Sequence, residues 1–404
     1  MGSGWVAPLL VALLVGAGLT PFLRRLALAT DFVDRPGQHK SHQTPTPYLG
    51  GVALIAAVLA GILVEGGMGS QATVIALGAG VLGTVGLIDD HRTVDPAIRL
   101  ALQLAAAVVP VALGIRVYVT GIGPVDAALT MVWIVGITNA FNLLDNMDGL
   151  SAGVATAAGG SILWLAVLGG SDATAAAAAA LVGACLGFLV HNWSPAAIFM
   201  GDSGSLFLGF VIAVLAIEVD PALSPPRSFL IPVLLLGLPV LDTVTVTLSR
   251  LRRGRSVLKG GKDHLSHRLR ALGLSPPGAV AVLVGVEASL GALAVLAGRR
   301  VVPLWVAVGL AVAVLLSLSV VTGRAPVYDE WPTAWPPSLL LGAAAGGAGV
   351  LLLAVVALPV AEGAAAVRRS SSGTTALLSM CGAVLLLGAT LAGITRERRG
   401  ATES

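Results

Sequence analysis

The sequence has few charged residues. Only 11% of its 404 residues are Asp, Glu, Lys or Arg, whereas a soluble domain carries about 25%. Its mean hydropathy is +0.92. Together these values argue against a soluble domain, a disordered chain and a nucleic-acid-binding protein. The net charge of +3 is small, and the basic residues are confined to a few connections.

Cysteine and aromatic residues are also scarce. Two cysteines, Cys185 and Cys381, lie inside apolar runs, which excludes a disulfide framework and a cysteine metal site. Aromatic residues make up 4% of the chain, and glycine is abundant, with 51 residues. Small residues such as the Gly183 and Gly187 pair let membrane helices approach closely.

Long apolar runs, in contrast, fill the chain. A membrane-spanning helix needs about 20 mostly apolar residues. Thirteen runs approach or reach that length, at 5–23, 49–64, 72–88, 98–114, 127–141, 151–169, 173–190, 205–219, 228–250, 278–297, 302–321, 338–360 and 375–394. We therefore predict an all-α polytopic integral membrane protein. About 11 core helices lie in residues 1–321, and about 2 more in a C-terminal extension, residues 322–404.

The basic residues predict the orientation in the membrane. Arg24 and Arg25 follow the first run and no basic residue precedes it, which is the reverse of a secretory signal. Lys and Arg concentrate in the connections after odd-numbered runs, above all in 250–273. The positive-inside rule places these connections in the cytoplasm, so we expect a multi-pass plasma-membrane protein.

Polar residues gather in the same odd-numbered connections. Five polar clusters stand out, at 31–51, 86–99, 139–153, 191–205 and 249–269. Their shared side predicts that carboxylates, amides, histidines and cations meet at one membrane face, as in an active site. A transporter more often places ionisable groups at mid-membrane depth.

Two of these clusters are acidic at helix ends. Asp89 and Asp90 follow an apolar run directly. Adjacent side chains point in different directions, so one carboxylate is expected to face a metal ion or a reacting proton while the other finds a cation. Helix termination by hydrated acids is the alternative. Asp202 lies between glycines in "FMGDSGS", where it suits a Mg²⁺ site or a helix cap.

The third cluster carries amides and acids one helical turn apart. If the helix continues to residue 148, one face carries four oxygen-bearing side chains. They are Asn139, Asn142, Asp145 and Asp148. Asn and Asp also favour helix ends, so capping remains the alternative.

The last cluster is basic. His264 and His267 lie one turn apart beside Arg268. Zinc is disfavoured because no cysteine or third histidine lies nearby. Binding of a sugar phosphate suits these side chains better, since Arg clasps phosphate with two hydrogen bonds and His can donate to it. Acids for a metal ion together with cations for phosphate predict phosphoryl transfer, and the membrane location suggests a lipid substrate.

These clusters, in this order, resemble the polyprenyl-phosphate N-acetylhexosamine-1-phosphate transferases. The resemblance covers roughly residues 1–321 and all five polar connections. It implies transfer of a sugar-1-phosphate from a UDP-sugar to a polyprenyl phosphate such as undecaprenyl phosphate. The products are UMP and a diphosphate-linked lipid, in the first membrane step of cell-envelope glycan synthesis. It also implies a requirement for Mg²⁺, with Mn²⁺ as an alternative.

The resemblance assigns roles by matching motifs. Asp89 would activate the lipid phosphate, with Asp90 beside it near the metal ion and phosphates. Arg99 would bind phosphate. Asn142 and Asp202 would be metal ligands. Direct attack by the lipid phosphate is favoured over a covalent aspartyl intermediate.

A second group would contact the substrates. Asp148 would contact the uracil, and His264, His267 and Arg268 would hold the sugar phosphate. Asn139 and Asp145 belong to the same "N-x-x-N-x-x-D-x-x-D" motif as Asp148. Lys40 and His42 match the "K-x-H" of the first connection.

Departures from the family pattern concern the sugar. Asn146 stands where glycine is usual, His39 where many members carry Arg, and the last motif reads His264-Leu-Ser-His267 instead of H-x-H-H. The triple-His signature of the peptidoglycan enzyme is therefore absent, which favours a UDP-GlcNAc-type donor. A homodimer stays open, and no function is assigned to 322–404. The alternative function is a multi-pass transporter or lipid flippase with Glu287 and Asp242 as coupling acids.

Overall fold

The computed structural model of the chain describes residues 4–35, 45–65, 69–219, 223, 225–256, 261–325 and 327. This part is helical apart from one two-stranded antiparallel ribbon, β1 (Val33–Asp34) and β2 (Thr46–Pro47). The first helices are α1 (Val6–Ala29), α2 (Gly50–Leu63), α3 (Ser70–His91), α4 (Pro96–Ala112), α5 (Gly123–Leu144), α6 (Leu150–Gly169) and α7 (Asp172–Asn192). They are followed by α8 (Gly201–Ile217), α9 (Arg227–Leu235), α10 (Gly237–Arg252), α11 (Leu265–Ala271), α12 (Pro276–Gly298) and α13 (Leu304–Gly323).

The predicted all-α membrane architecture is confirmed. Within the described residues, seven helices are long and apolar enough to cross a membrane alone, and the α9–α10 pair qualifies as a bent eighth. Helices α2, α4 and α8 are apolar but shorter. Each apolar run up to 302–321 overlaps a helix, whereas 338–360 and 375–394 lie outside the described residues.

The ninth run, 228–250, is bent. It forms α9 and α10, which meet at 75° and together are long and apolar enough for one broken span. The break falls at Leu236 and Gly237, and Pro239 follows in the first turn of α10. Proline lacks a backbone N–H and suits a first helical turn, so "LGLP" is a local signal for a new helix start.

Helix α7 lies at the centre of the bundle. Of its most apolar 18-residue stretch, 78% is buried inside the bundle, which is the largest share among the candidate spans. Gly183 and Gly187 face α1 so closely that a Cβ at either position would overlap the α1 backbone near Leu9 and Leu13. The predicted role of this glycine pair in close helix packing is confirmed.

Polar side chains bond to one another where α3 and α7 begin and α8 ends. Gln71 Nε2 donates to Glu218 Oε2 at 2.5 Å and to Thr174 Oγ1 at 3.1 Å, linking α3, α7 and the end of α8. Asp126 accepts hydrogen bonds from the backbone N–H groups of Val119 and Thr120 before α5. Gln71, Glu218 and Asp126 are therefore hydrogen-bonded within the protein, which gives them a structural role.

Candidate active site

The five polar clusters meet, as predicted, around the N-terminus of α8. Phe199 N donates to Pro47 O at 2.8 Å, which ties the first cluster to the fourth. Asp202 N donates to Asp90 Oδ1 at 2.8 Å, which adds the second. Asn142 donates to Asp202, which adds the third cluster, and Ser266 donates to Asn146, which adds the fifth. One helix-end face therefore carries all five.

The neighbouring acids of α3 have different partners. Asp89 Oδ2 accepts from Arg99 at 2.9 Å and its Oδ1 from Val94 N at 2.7 Å, so this is the carboxylate that finds a cation. Asp90 instead accepts the backbone N–H groups of Asp202 and Ser203, at 2.8 and 3.3 Å. Those N–H groups belong to the first turn of α8, where a helix has no internal acceptors. Asp90 therefore fixes the start of α8.

Glycines allow the three helices α2, α3 and α8 to meet at this point. Gly201 has φ +66°, and a Cβ there would overlap the Asp90 carboxylate. A Cβ at Gly51 would overlap Ser203 Oγ and the backbone of Gly204, and a Cβ at Gly86 would overlap the backbone of Ser203. This close approach places Asp202 beside the end of α3.

Asp202 is the more open acid of the site. Its side chain is 33% exposed, compared with 6% for Asp89. Oδ1 accepts from Asn142 Nδ2 at 2.6 Å, and Oδ2 lies 3.6 Å from the Arg99 guanidinium, which also binds Asp89. Ser205 accepts a second bond from Asn142 at 3.0 Å. One cation thus lies between two carboxylates, one of them accessible.

The condition for a continuous ladder of side chains on α5 is not met, because the helix ends at Leu144. Asn139 and Asn142 lie on the helix, and Asn139 exchanges hydrogen bonds with Gln103 of α4. Asp145 and Asp148 follow in the α5–α6 connection. The physical reason is that Asp and Asn side chains compete for backbone hydrogen bonds and favour helix ends.

The acids beyond α5 have distinct environments. Burial, and after it the charge of neighbouring carboxylates, raises the pKa of Asp145 well above its usual range. Those carboxylates belong to Asp202, Asp90 and Asp148. Asp145 therefore keeps its proton at a pH where an exposed aspartate has lost it. Asp148 Oδ2 accepts from Ala196 N at 3.0 Å and holds the loop before α8.

The basic cluster divides into buried and open side chains. His264 is buried and its Nδ1 lies 2.7 Å from Asp242 Oδ2. Arg268 is 5% exposed and donates to Asp263 O, Thr322 O and Ser249 Oγ. Its guanidinium is thus bonded to protein groups, whereas the resemblance assigns it to the sugar phosphate.

His267 lies beside an open cavity of about 440 Å³. Lys262 and Arg270, both exposed, line the same cavity. Burial first, and then the neighbouring His264, Arg270 and Lys262, lower the pKa of His267 to about 4. His267 is therefore neutral at pH 7 and can both donate and accept a hydrogen bond.

The low pKa of His267 should be visible in the pH dependence of the protein's stability. His267 has a pKa of about 4 in the fold against an ordinary 6.5, so the unfolded chain takes up the proton first as the pH falls. Stability is therefore lost between about pH 6.5 and 4. We expect His267→Gln to flatten the fall of the thermal unfolding midpoint in detergent over that window. His91→Gln, at an exposed histidine, is the control, and equal acid slopes for wild type and His267→Gln would contradict the assignment.

Several positioning side chains were not predicted from the sequence. Gln103 binds Asn139, and Arg250 forms a buried two-point ion pair with Asp263, at 2.6 and 2.8 Å. Asn192 accepts from Gly149 N and donates to Ile198 O, joining two of the loops. Only the polarity of these residues within or beside apolar runs signalled them. Lys40 and His42 lie outside the described residues.

The site provides oxygen donors for a hard cation. Within the described ranges, no three His, Cys, Asp or Glu side chains are grouped so as to hold a metal ion by themselves. Asp202 and Asn142 supply one carboxylate and one amide, next to Asp89. Mg²⁺ is commonly bound by one or two carboxylates with water and substrate phosphates completing its shell. The donor set fits such a shared ion.

The fold and the site together define a multi-pass helical membrane protein with an acidic and cationic pocket at one set of helix ends. The profile of glycosyl transferase family 4 matches residues 72–220, a range that contains Asp89, Asn142 and Asp202. The chain belongs to this family, to which the polyprenyl-phosphate N-acetylhexosamine-1-phosphate transferases belong, and the resemblance seen in the sequence is confirmed.

Curated relatives cover most of the chain. A probable undecaprenyl-phosphate N-acetylglucosaminyl 1-phosphate transferase of Bacillus subtilis is 34% identical over 300 residues, which are 71% of this chain and 84% of the relative. The decaprenyl-phosphate N-acetylglucosaminephosphotransferase of Mycolicibacterium smegmatis is 31% identical, with 78% and 88% covered. A phospho-N-acetylmuramoyl-pentapeptide-transferase of Heliobacterium modesticaldum is 35% identical, with 54% and 74% covered.

Proposed function

We propose that this protein transfers N-acetylglucosamine-1-phosphate from UDP-GlcNAc to a polyprenyl phosphate, releasing UMP. The observation that carries the proposal is the grouping of Asp89, Arg99 and Asp202 at the converging helix ends. Family membership and relatives named for this transfer to undecaprenyl and decaprenyl phosphate support it. The transporter alternative loses its support because Glu287 and Asp242 both accept backbone hydrogen bonds.

Arg99 has the position of a phosphate-binding cation. Its guanidinium lies between Asp89 and Asp202 and is 26% exposed, so a phosphate arriving from the open side of Asp202 meets it. Asp89 keeps the guanidinium in place through a hydrogen bond of 2.9 Å. We infer that Asp89 orients Arg99 beside the attacking lipid phosphate. Asp90 acts indirectly, because it fixes the α8 N-terminus that carries Asp202.

Asp202 and Asn142 are the proposed holders of a divalent cation. Bound Mg²⁺ neutralises negative charge that builds up on a transferring phosphoryl group. Asp202 provides a partly exposed carboxylate for it, and Asn142 keeps that carboxylate oriented through a bond of 2.6 Å. Asp145 and Asp148 lie on the α5–α6 connection, where Asp148 is proposed to contact the uracil.

The cavity beside α11 is proposed to receive the sugar phosphate. His267, Lys262 and Arg270 present donors without an acidic residue among the described lining. The face carrying the site is proposed to be cytoplasmic, because the basic connections lie on it. Cytoplasmic sugar nucleotides then reach the pocket directly, and the lipid phosphate reaches it from the membrane.

A direct assay tests the proposed reaction. Full-length protein in detergent, given UDP-GlcNAc and undecaprenyl phosphate, is expected to release UMP and form a lipid-linked GlcNAc diphosphate in equal amounts. UDP-MurNAc-pentapeptide should support at most slow UMP release. Flux of substrate across a proteoliposome without UMP would contradict the proposal.

Metal removal gives a second expected result. Excess EDTA should stop UMP release, because removal of the ion leaves the negative charge of Asp202 unscreened beside the transferring phosphoryl group. Mg²⁺ added in excess over the chelator, or Mn²⁺, should restore the rate. A control with the Ca²⁺–EDTA complex shows whether chelation itself is responsible, and undiminished turnover in EDTA would contradict the divalent-ion requirement.

A further inference from the structure

A buried acid contacts the break between α9 and α10. Glu287 lies in the middle of α12 and is 0% exposed. Its Oε2 accepts a hydrogen bond from the backbone N–H of Leu238 at 3.1 Å, and Leu238 is the second residue of α10. This carboxylate therefore caps a helix from another helix, inside the bundle.

The start of α10 needs such an acceptor. The first N–H groups of a helix have no partner within it, and an unpaired backbone group is costly where no water reaches it. At the start of α10, Pro239 has no N–H, and Val240 N donates to Leu236 O at 3.3 Å. Leu238 N is the group that Glu287 satisfies. The 75° turn is thus held by a bond from α12 to the first turn of α10.

Two side chains on α10 hold the segment that leads into α11. Asp242 accepts from Leu265 N at 2.7 Å and contacts His264 Nδ1 at 2.7 Å. Arg250 binds Asp263 through two nitrogens. All four of these side chains are buried, with at most 5% exposed. The direction of α10 therefore decides where α11 and its His267 are placed.

We propose that Glu287 is a positioning residue for sugar-nucleotide binding, which acts by fixing the start of α10 and, through Asp242 and Arg250, the place of α11. The inference rests on the proposed function. Glu287 touches no substrate in this scheme, and what it supplies is an acceptor oxygen. A glutamine at this position keeps that acceptor, whereas a leucine removes it.

Kinetics on full-length protein in detergent separate these cases. Glu287→Leu is expected to raise the KM for UDP-GlcNAc about tenfold while the KM for undecaprenyl phosphate changes less than about twofold. Glu287→Gln should keep both values within about twofold of wild type. Ser289→Ala is the matched control, because this buried hydroxyl on the same helix donates to Gly285 O of its own helix and, among the described residues, has no bond to another helix.

A distance measurement tests the position of α10 without relying on turnover. Spin labels at Leu251→Cys on α10 and Leu316→Cys on α13, both exposed positions, report the direction of α10 once Cys185 and Cys381 are replaced by Ala. Glu287→Leu should shift or broaden the distance distribution, while Glu287→Gln and Ser289→Ala should leave it unchanged.

Three results would overturn the inference. They are an unchanged distance distribution in Glu287→Leu, equal defects in the Gln and Leu variants, and a shifted α10 with a normal KM for UDP-GlcNAc. Wild-type protein without any transfer would instead refute the proposed function, and the spin-label distances would still decide whether Glu287 fixes α10.

Discussion

Asp202→Asn is expected to lower kcat by about 1000-fold or more, the largest effect of any single substitution in the site. The change keeps the shape of the side chain but removes its charge. Loss of a carboxylate that holds a divalent ion removes several kcal/mol of charge stabilisation, and each 1.4 kcal/mol is about tenfold in rate. Asn142 would also lose its anionic partner, and Arg99 would keep only one of its two, Asp89. UMP release at saturating UDP-GlcNAc measures the effect.

Asp31→Asn is the control for this substitution. Asp31 makes the same kind of carboxylate–arginine contact, with Arg35 at 2.6 Å, but both side chains are about 70% exposed. Exposed ion pairs contribute little to stability, so this variant should transfer at the wild-type rate. Full activity of Asp202→Asn would remove the central residue of the site and, with it, the proposed place of the metal ion.

Gly201→Ala is expected to abolish most activity through the backbone. Gly201 has φ +66°, which costs a residue with a Cβ about 1 kcal/mol. The added Cβ would also overlap the Asp90 carboxylate and displace its bonds to Asp202 and Ser203. A displacement of about 1 Å in a catalytic group can cost about 100-fold in rate. We therefore expect kcat to fall by about 100-fold.

Gly170→Ala separates the cost of a positive φ from the effect of the overlap with Asp90. Gly170 has φ +76°, but no atom lies within 4 Å of a Cβ built there. Both variants should lose about 1 kcal/mol of stability from the left-handed backbone, and Gly201→Ala should lose more, because it also displaces the hydrogen bonds of Asp90. Only Gly201→Ala should lose activity. Equal kcat values in the two variants would show that Asp90 does not need its close contact with Gly201.

The sequence predicted the membrane class and the meeting of the polar clusters because both follow from the positions of the apolar runs along the chain. An apolar run near 20 residues must be helical in a bilayer, since its backbone groups have no other partners there. Odd-numbered connections between successive spans then fall on one side. The contacts among Asp90, Asn142, Asp202 and Ser266 bear out that reasoning.

The hydrogen-bond or ion-pair partner of each polar side chain could not be predicted from the sequence in the same way. Asp89 and Asp90 are chemically identical neighbours, yet Arg99 lies beside the first and the α8 N-terminus beside the second. Arg268 looked like a phosphate ligand, and the fold buries it against Thr322 and Ser249. A side chain in "SHRLR" has no sequence feature that tells a buried cation from an open one.

The chain by itself determined a multi-pass helical membrane protein with a one-sided gathering of acids, amides and cations. Local hydropathy and charge specify these features residue by residue. The tertiary structure decided the break before Gly237, the end of α5 at Leu144 and the pairing of each carboxylate. Each of these depends on which backbone or side-chain group arrives from a distant helix, as Glu287 does at Leu238. Away from water each of these groups needs the other as its hydrogen-bond partner, and only the folded bundle brings them together.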